Sequence, residues 1–137
     1  MISKNVQLAP LTTFHIGGAA RFFLEAKTEK DIEDAIAYAH EQKVPLYPLG
    51  GGSNVLVPDT GIEGVVVRVA MHDIVFENEG DDVLLIAGAG ASWEDVVNSA
   101  GAQGLFGIEN LAGIPGTIGG AAVQNIGAYG AELKDVF

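Results

Sequence analysis

The chain has no cysteine, which excludes disulfides, thiolate metal sites and a cysteine nucleophile. It has few cations: seven Lys and Arg stand against eighteen Asp and Glu, for a net charge of −11. That balance argues against a nucleic-acid partner, whose binding needs a basic footprint. The acidity itself reads first as a solubility device. The three histidines, His15, His40 and His72, show no metal-ligand spacing, so no metal site is expected. No apolar run approaches the ~18 residues of a membrane span. The N-terminus lacks the apolar stretch of a signal peptide. A soluble, cytoplasmic protein with no membrane partner is expected. Oligomeric state leaves no trace in the sequence.

Glycine, by contrast, is abundant: 19 of 137 residues, about twice its usual share of roughly 7%. Hydrophobic residues make up 48% and charged ones 18%, a globular balance. Glycine loses the most entropy on folding, so dense runs need a reason. One reason is close approach of backbone to a flat or polyanionic ligand. Residues 114–130 hold five glycines (116, 119, 120, 127 and 130) and almost no charge. A second run, residues 49–54, carries three consecutive glycines followed by Ser53 and Asn54. With so few cations, any phosphate must be held mainly by main-chain N–H groups and helix N-termini.

The element pattern is α+β with a βαβ start. Residues 21–26 read as a strand. Thr28 caps a helix to about Gln42, with an apolar stripe at Ile32, Ala35, Ile36 and Ala39. Strands are expected at 44–49 and 64–69, and a hairpin pairs 74–77 with 83–87 across a turn at 78–82. Ser92 caps a second helix that ends near Gly101 or Gly104. Residues 105–125 read as short helical turns, and 134–137 as a strand that continues past Phe137. Turn residues at 58–64 suggest a boundary between subdomains 1–60 and 61–137. A fragment of a longer protein is expected.

The glycine run at 50–52 is neither a Walker loop nor a Rossmann fingerprint, because the residues those motifs require are missing. Its amides can still converge on one anion, with Ser53 and Asn54 adding side-chain donors; a plain tight turn is the alternative. Pro115, Gly116, Gly119 and Gly120 could present amides at a helix start, and Gln124, Asn125 and Tyr129 could face a ligand's edges. The Gly88–Ala91 piece reads as close packing between strand and helix, and Trp93 as a packing residue. Glu109 with Asn110 is either an acid near the site or a solvated turn. No Ser/His/Asp set and no carboxylate pair stands out.

Three segments together resemble one family: residues 12–18, residues 49–56, and residues 107–120 continuing through 124–130. They are similar to the FAD-binding part of the UDP-N-acetylenolpyruvoylglucosamine reductase family, of the vanillyl-alcohol-oxidase type. The resemblance covers nearly the whole chain. It implies two small α+β subdomains that hold FAD between them, with NADPH as hydride donor and a UDP-sugar as substrate. It implies cofactor contacts at Leu49, Gly50, Gly51, Gly52, Ser53, Asn54 and Val55. Further contacts are implied at Ile114, Pro115, Gly116, Gly119, Gly120, Ala121, Gln124, Asn125, Ile126 and Gly127, with Tyr129 toward the substrate. The family's catalytic residues and substrate-binding domain lie downstream of the Tyr129–Gly130 motif. None is therefore assigned in this chain, and the chain alone is expected to be inactive. Another flavoprotein of the same superfamily, or a nucleotide-binding module without flavin, is the alternative.

Overall fold

Ala19–Ala26 (β2) alternates in burial, with Ala20, Phe22, Leu24 and Ala26 inside. Ile62–Val69 (β4) is buried continuously from Gly64 to Val67, as a strand covered on both faces must be. These two run parallel and form the centre of a four-stranded sheet ordered β1-β2-β4-β3. Leu46–Leu49 (β3) lies parallel on one edge, and Ser3–Gln7 (β1) antiparallel on the other. The computed structural model describes residues 1–137, which divide into two compact units, Met1–Met71 and His72–Phe137.

Glu29–Gln42 (α1) covers one face of this sheet. Thr28 caps it reciprocally: the Asp31 amide donates to the Thr28 hydroxyl, and the Asp31 carboxylate accepts from the Thr28 amide at 2.9 Å. The Thr28 hydroxyl and the Lys27 amide also hold the Asp31 carboxyl below its ordinary value. Ala35 and Ala39 pack on Phe22, Leu24, Ala26, Val65 and Val67, flanked by Ile32 and Tyr38. Ile36, expected in the buried stripe, is exposed instead, because the helix turns its Ala35–Ala39 side to the sheet. The opposite sheet face carries Leu8, Ala20, Leu49, Val57 and Val66 under loops. Each fully buried Val or Leu contributes about 1.5–3 kcal/mol.

The second unit opens with the hairpin Ile74–Glu79 (β5) and Asp82–Ala87 (β6). Glu79 pairs with Asp82, so only residues 80 and 81 form the turn, which is tighter than the expected 78–82. Trp93–Ala102 (α2) is capped by Ser92. Trp93 is fully buried, and its indole N–H donates to the Leu111 carbonyl at 2.8 Å. It centres a cluster of Val97, Leu111, Ala121 and Leu133. Ile118–Gln124 (α3) and a minimal hairpin, Gly127–Ala128 (β7) with Ala131–Glu132 (β8), complete the unit.

The structure departs from the sequence reading at three further places. Residues 134–137 are not a strand: Leu133–Asp135 is a 3-10 turn, closed where the Asp135 carboxylate accepts from the Glu132 amide at 3.0 Å. β1 was not expected from sequence, since only Val6 among its residues is even half-buried and no alternation announces it. The chain divides after Met71, not near residue 60, because β4 bonds to both β2 and β3 and so belongs with the first sheet.

Candidate functional site

In the first unit, residues 50–54 leave the carboxyl end of β3, the end of a parallel sheet where ligands usually sit. Leu49 anchors the loop from inside the core, so its side chain faces Leu8 and Val66. Gly51 is exposed and Gly52 is buried. Gly52 has φ +70°, and a Cβ there would come within 2.1 Å of the Leu11 carbonyl oxygen. The Gly52 carbonyl accepts from the Thr13 amide at 3.0 Å. Thr12 is buried beside it, with its hydroxyl 3.1 Å from the Ala9 carbonyl oxygen. The segment 8–18 therefore clamps the glycine loop from below, which gives the N-terminal motif a structural role. Ser53 is half-buried, while Asn54 and Val55 are exposed.

In the second unit, the Gly88–Ala91 piece packs on the start of α3. The Ile118 amide donates to the Ala91 carbonyl at 3.0 Å, and the Gly119 amide to the Ala89 carbonyl at 2.9 Å. A Cβ on Gly119 would stand 3.1 Å from the Ala89 Cβ and carbonyl oxygen. The first two amides of α3, expected to present themselves to a ligand, are thus spent within the chain. The Gly116 carbonyl is likewise occupied, accepting from the Trp93 amide at 3.1 Å.

Gly120 differs. A Cβ there would touch only the Thr117 hydroxyl at 3.6 Å and the Gln124 amide nitrogen at 3.9 Å, both ordinary contacts. Nothing in the chain requires glycine here, although a mid-helix glycine costs about 1 kcal/mol relative to alanine. The Thr117 hydroxyl oxygen is buried and has no hydrogen-bond partner, despite occupying the N-cap position of α3. A buried hydroxyl without a partner costs about 1–3 kcal/mol. Thr117, Gly120 and Gln124 thus converge on one spot. Thr117 escaped the sequence reading because a threonine ahead of a helix ordinarily serves as a cap.

The remaining candidates separate. Ala121 is buried in the cluster around Trp93, which Ile114 and Ile126 flank; Pro115 is exposed. Asn125 adopts φ 47° and ties α3 to the following hairpin: its amide donates to the Glu132 carboxylate at 2.7 Å, and its side-chain oxygen accepts from the Lys134 amide at 2.9 Å. Lys134, then Asn125, hold the Glu132 carboxyl below its ordinary value. Gly127 belongs to β7. Tyr129 and Gly130, at φ 53° and 84°, turn that hairpin. An aromatic residue in this left-handed region is uncommon, and Tyr129 is 95% exposed. Glu109 is a turn residue: its carboxylate accepts from the Gly107 amide at 2.6 Å, which lowers its pKa. No group of three His, Asp or Glu could hold a metal ion.

Residues 20–137 match the FAD binding domain family. The chain belongs to that family. This FAD-binding domain is 44% identical to the UDP-N-acetylenolpyruvoylglucosamine reductase of Pseudomonas fluorescens (strain Pf0-1), over 99% of the chain and 40% of the relative. Among solved structures it resembles the UDP-N-acetylenolpyruvylglucosamine reductase of Thermus caldophilus, with a TM-score of 0.77 and 30% identity, over 98% of the chain and 47% of that protein. Cholesterol oxidase from Brevibacterium sterolicum shares the fold alone, at a TM-score of 0.66 and 20% identity, over 96% of the chain and 25% of that protein. The chain therefore spans less than half the length of the reductases it resembles. No helix of the FAD-binding domain is long and apolar enough to cross a membrane.

Proposed function

We propose that this chain is the FAD-holding part of an NADPH-dependent reductase that converts UDP-N-acetylenolpyruvoylglucosamine to UDP-N-acetylmuramate. The likeness to two such reductases supports the reaction. The observation that carries the cofactor's place is the buried Thr117 hydroxyl beside the open Gly120. A polar ligand atom over Gly120 would satisfy that hydroxyl, and the absent Cβ leaves it room. FAD, when bound, supplies hydride transfer.

The chain's own residues bind and orient. In the first unit, Gly50, Gly51, Ser53 and Asn54 form the pyrophosphate seat, and Leu49, Gly52 and Val55 fix its shape. In the second, Thr117, Gly120 and Gln124 face the cofactor. Ile114, Pro115, Gly116, Gly119, Ala121, Asn125, Ile126 and Gly127 hold that surface in place. Tyr129 is presented toward the substrate on a turn whose backbone accepts strain. The wider setting is peptidoglycan precursor synthesis in the cytoplasm, and through it cell shape and division. The residues that stabilise the enol charge and donate the proton are assigned to other parts of the reductase. So is the substrate-binding domain.

Calorimetry with FAD and FMN tests the cofactor. FAD is expected to bind more tightly, because the reading uses both halves of a dinucleotide. Gly51→Val is expected to lower FAD affinity at least about tenfold while the unfolding midpoint holds. Tighter FMN binding, or wild-type FAD affinity in the variant, would remove the basis for this seat.

A further inference from the structure

We infer that Glu132 is a positioning residue: by engaging Asn125 it decides which of two adjacent side-chain amides, Gln124 or Asn125, serves the ligand side of α3, and it fixes the turn that carries Tyr129. This rests on the reading of Thr117, Gly120 and Gln124 as the cofactor-facing surface. Gln124 and Asn125 stand side by side at the end of α3, and their side chains go to different places. Gln124 lies four residues after Gly120 on one side of the helix, with its amide nitrogen 3.9 Å from where a Gly120 Cβ would stand. Asn125 caps α3 in the left-handed region, at φ 47° and ψ 61°.

One short segment takes both ends of the Asn125 side chain. Its amide nitrogen donates to the Glu132 carboxylate at 2.7 Å, and its oxygen accepts from the Lys134 main-chain amide at 2.9 Å. The Lys134 ammonium pairs with the same Glu132 oxygen. The stem of the glutamate is used as well. Its Cγ lies over Gly127, where an added Cβ would stand 3.1 Å away. Gly127 therefore admits the Glu132 side chain to its place beside Asn125.

The hairpin that follows needs such a hold. It has only two residue pairs, Gly127 with Glu132 and Ala128 with Ala131. Its turn, Tyr129–Gly130, has two positive φ values, a form that asparagine–glycine usually supplies. Tyrosine disfavours that backbone, so the turn must be held from outside. Attachment to the core is already provided, because Ile126, Ala128, Ala131 and Leu133 join the cluster around Trp93. What Glu132 adds is direction. Its charge-assisted bond commits the Asn125 amide to the hairpin and leaves Gln124 as the amide beside Gly120. Without that bond, Asn125 competes with Gln124 for a polar ligand atom, and β7 loses its fixed start.

Nuclear magnetic resonance and FAD calorimetry on this chain test the assignment, with Glu132→Leu and Glu132→Gln. Leucine keeps an apolar stem over Gly127 and removes the acceptor; glutamine restores an acceptor for Asn125 without the charge. In the wild type, Asn125 and Tyr129 are expected to show the strong cross-peak between amide and own Hα that marks a positive φ. Glu132→Leu is expected to lose it at Asn125 and to bind FAD about tenfold more weakly, the scale of one charge-assisted hydrogen bond. Glu132→Gln is expected to recover most of both. The unfolding midpoint, read from Trp93 fluorescence, is expected to hold in both variants, because exposed charge pairs add little to stability. If Asn125 keeps its signature in Glu132→Leu, Glu132 does not position it and the inference is overturned. If the signature is lost but FAD binds as in the wild type, the inference is overturned and the cofactor reading stands. If affinity falls only together with the midpoint, and glutamine recovers neither, Glu132 is a structural prop and the inference is overturned. If the wild-type chain takes up no FAD, the cofactor reading falls and takes the inference with it.

Discussion

The two glycine-rich regions look alike in sequence and are built differently. In the first unit, the run at 50–52 folds over the backbone of residues 11–13, and Gly52 has neither space nor a φ that another residue would adopt readily. In the second, Gly119 and Gly120 are neighbours on one short helix with opposite duties. Gly119 lets Ala89 approach, while a Cβ on Gly120 would make only ordinary contacts, one of them with a hydroxyl without a partner. Glycine density therefore marks two separate needs: close packing of backbone within the chain, and room left for a ligand. Only the surroundings of each residue tell them apart.

Substitution can separate the two needs. The largest effect is expected at Gly52→Ala. Its Cβ would enter the Leu11 carbonyl, and its φ of +70° is strained for any L side chain, so a loss of about 2–4 kcal/mol is expected in urea unfolding. Unchanged stability would show that segment 8–18 does not clamp the loop. Gly119→Ala is expected to be milder, at about 1 kcal/mol, since Ala89 must give by only a few tenths of an ångström from 3.1 Å. The fluorescence of Trp93, the single tryptophan, reports unfolding of the second unit directly.

The smallest effect is expected from acid. Asp31, Glu109 and Glu132 are held below their ordinary values, 3.8 for the aspartate and 4.5 for the glutamates. A depressed carboxyl contributes stability above its unfolded pKa and loses it as pH falls through the folded one. Stability should therefore be level from neutral pH down to about 5 and decline below that. All three groups lie at the surface, so the decline should be shallow. A loss centred near neutral pH would contradict this assignment to the three carboxyls.

Much of this was legible in the sequence. The Thr28 and Ser92 caps, the buried run of β4 and the packing role of Trp93 rest on local chemistry that short windows display. Residues 88–91 read as close packing between strand and helix, and their small side chains do pack closely, but on the start of α3, which the sequence did not indicate. What escaped the sequence depends on distant partners. β1 has no alternation because it is an exposed edge, and its only reason to be a strand is β2. The clamp of residues 11–13 on Gly52 joins segments some forty residues apart. Asn125 read as a ligand contact, yet its side chain serves the hairpin that follows, a choice that Glu132 and Lys134 impose.

The most direct test of the division between packing glycines and ligand-facing glycines is Gly120→Ala, measured for stability and for FAD binding in the same preparation. The chain has room for the methyl group, and removing a mid-helix glycine should raise stability by up to about 1 kcal/mol. FAD affinity should fall at least about tenfold, because the methyl group would occupy the space over the Thr117 hydroxyl. A variant that binds FAD as tightly as the wild type would contradict the account, and so would one that loses stability.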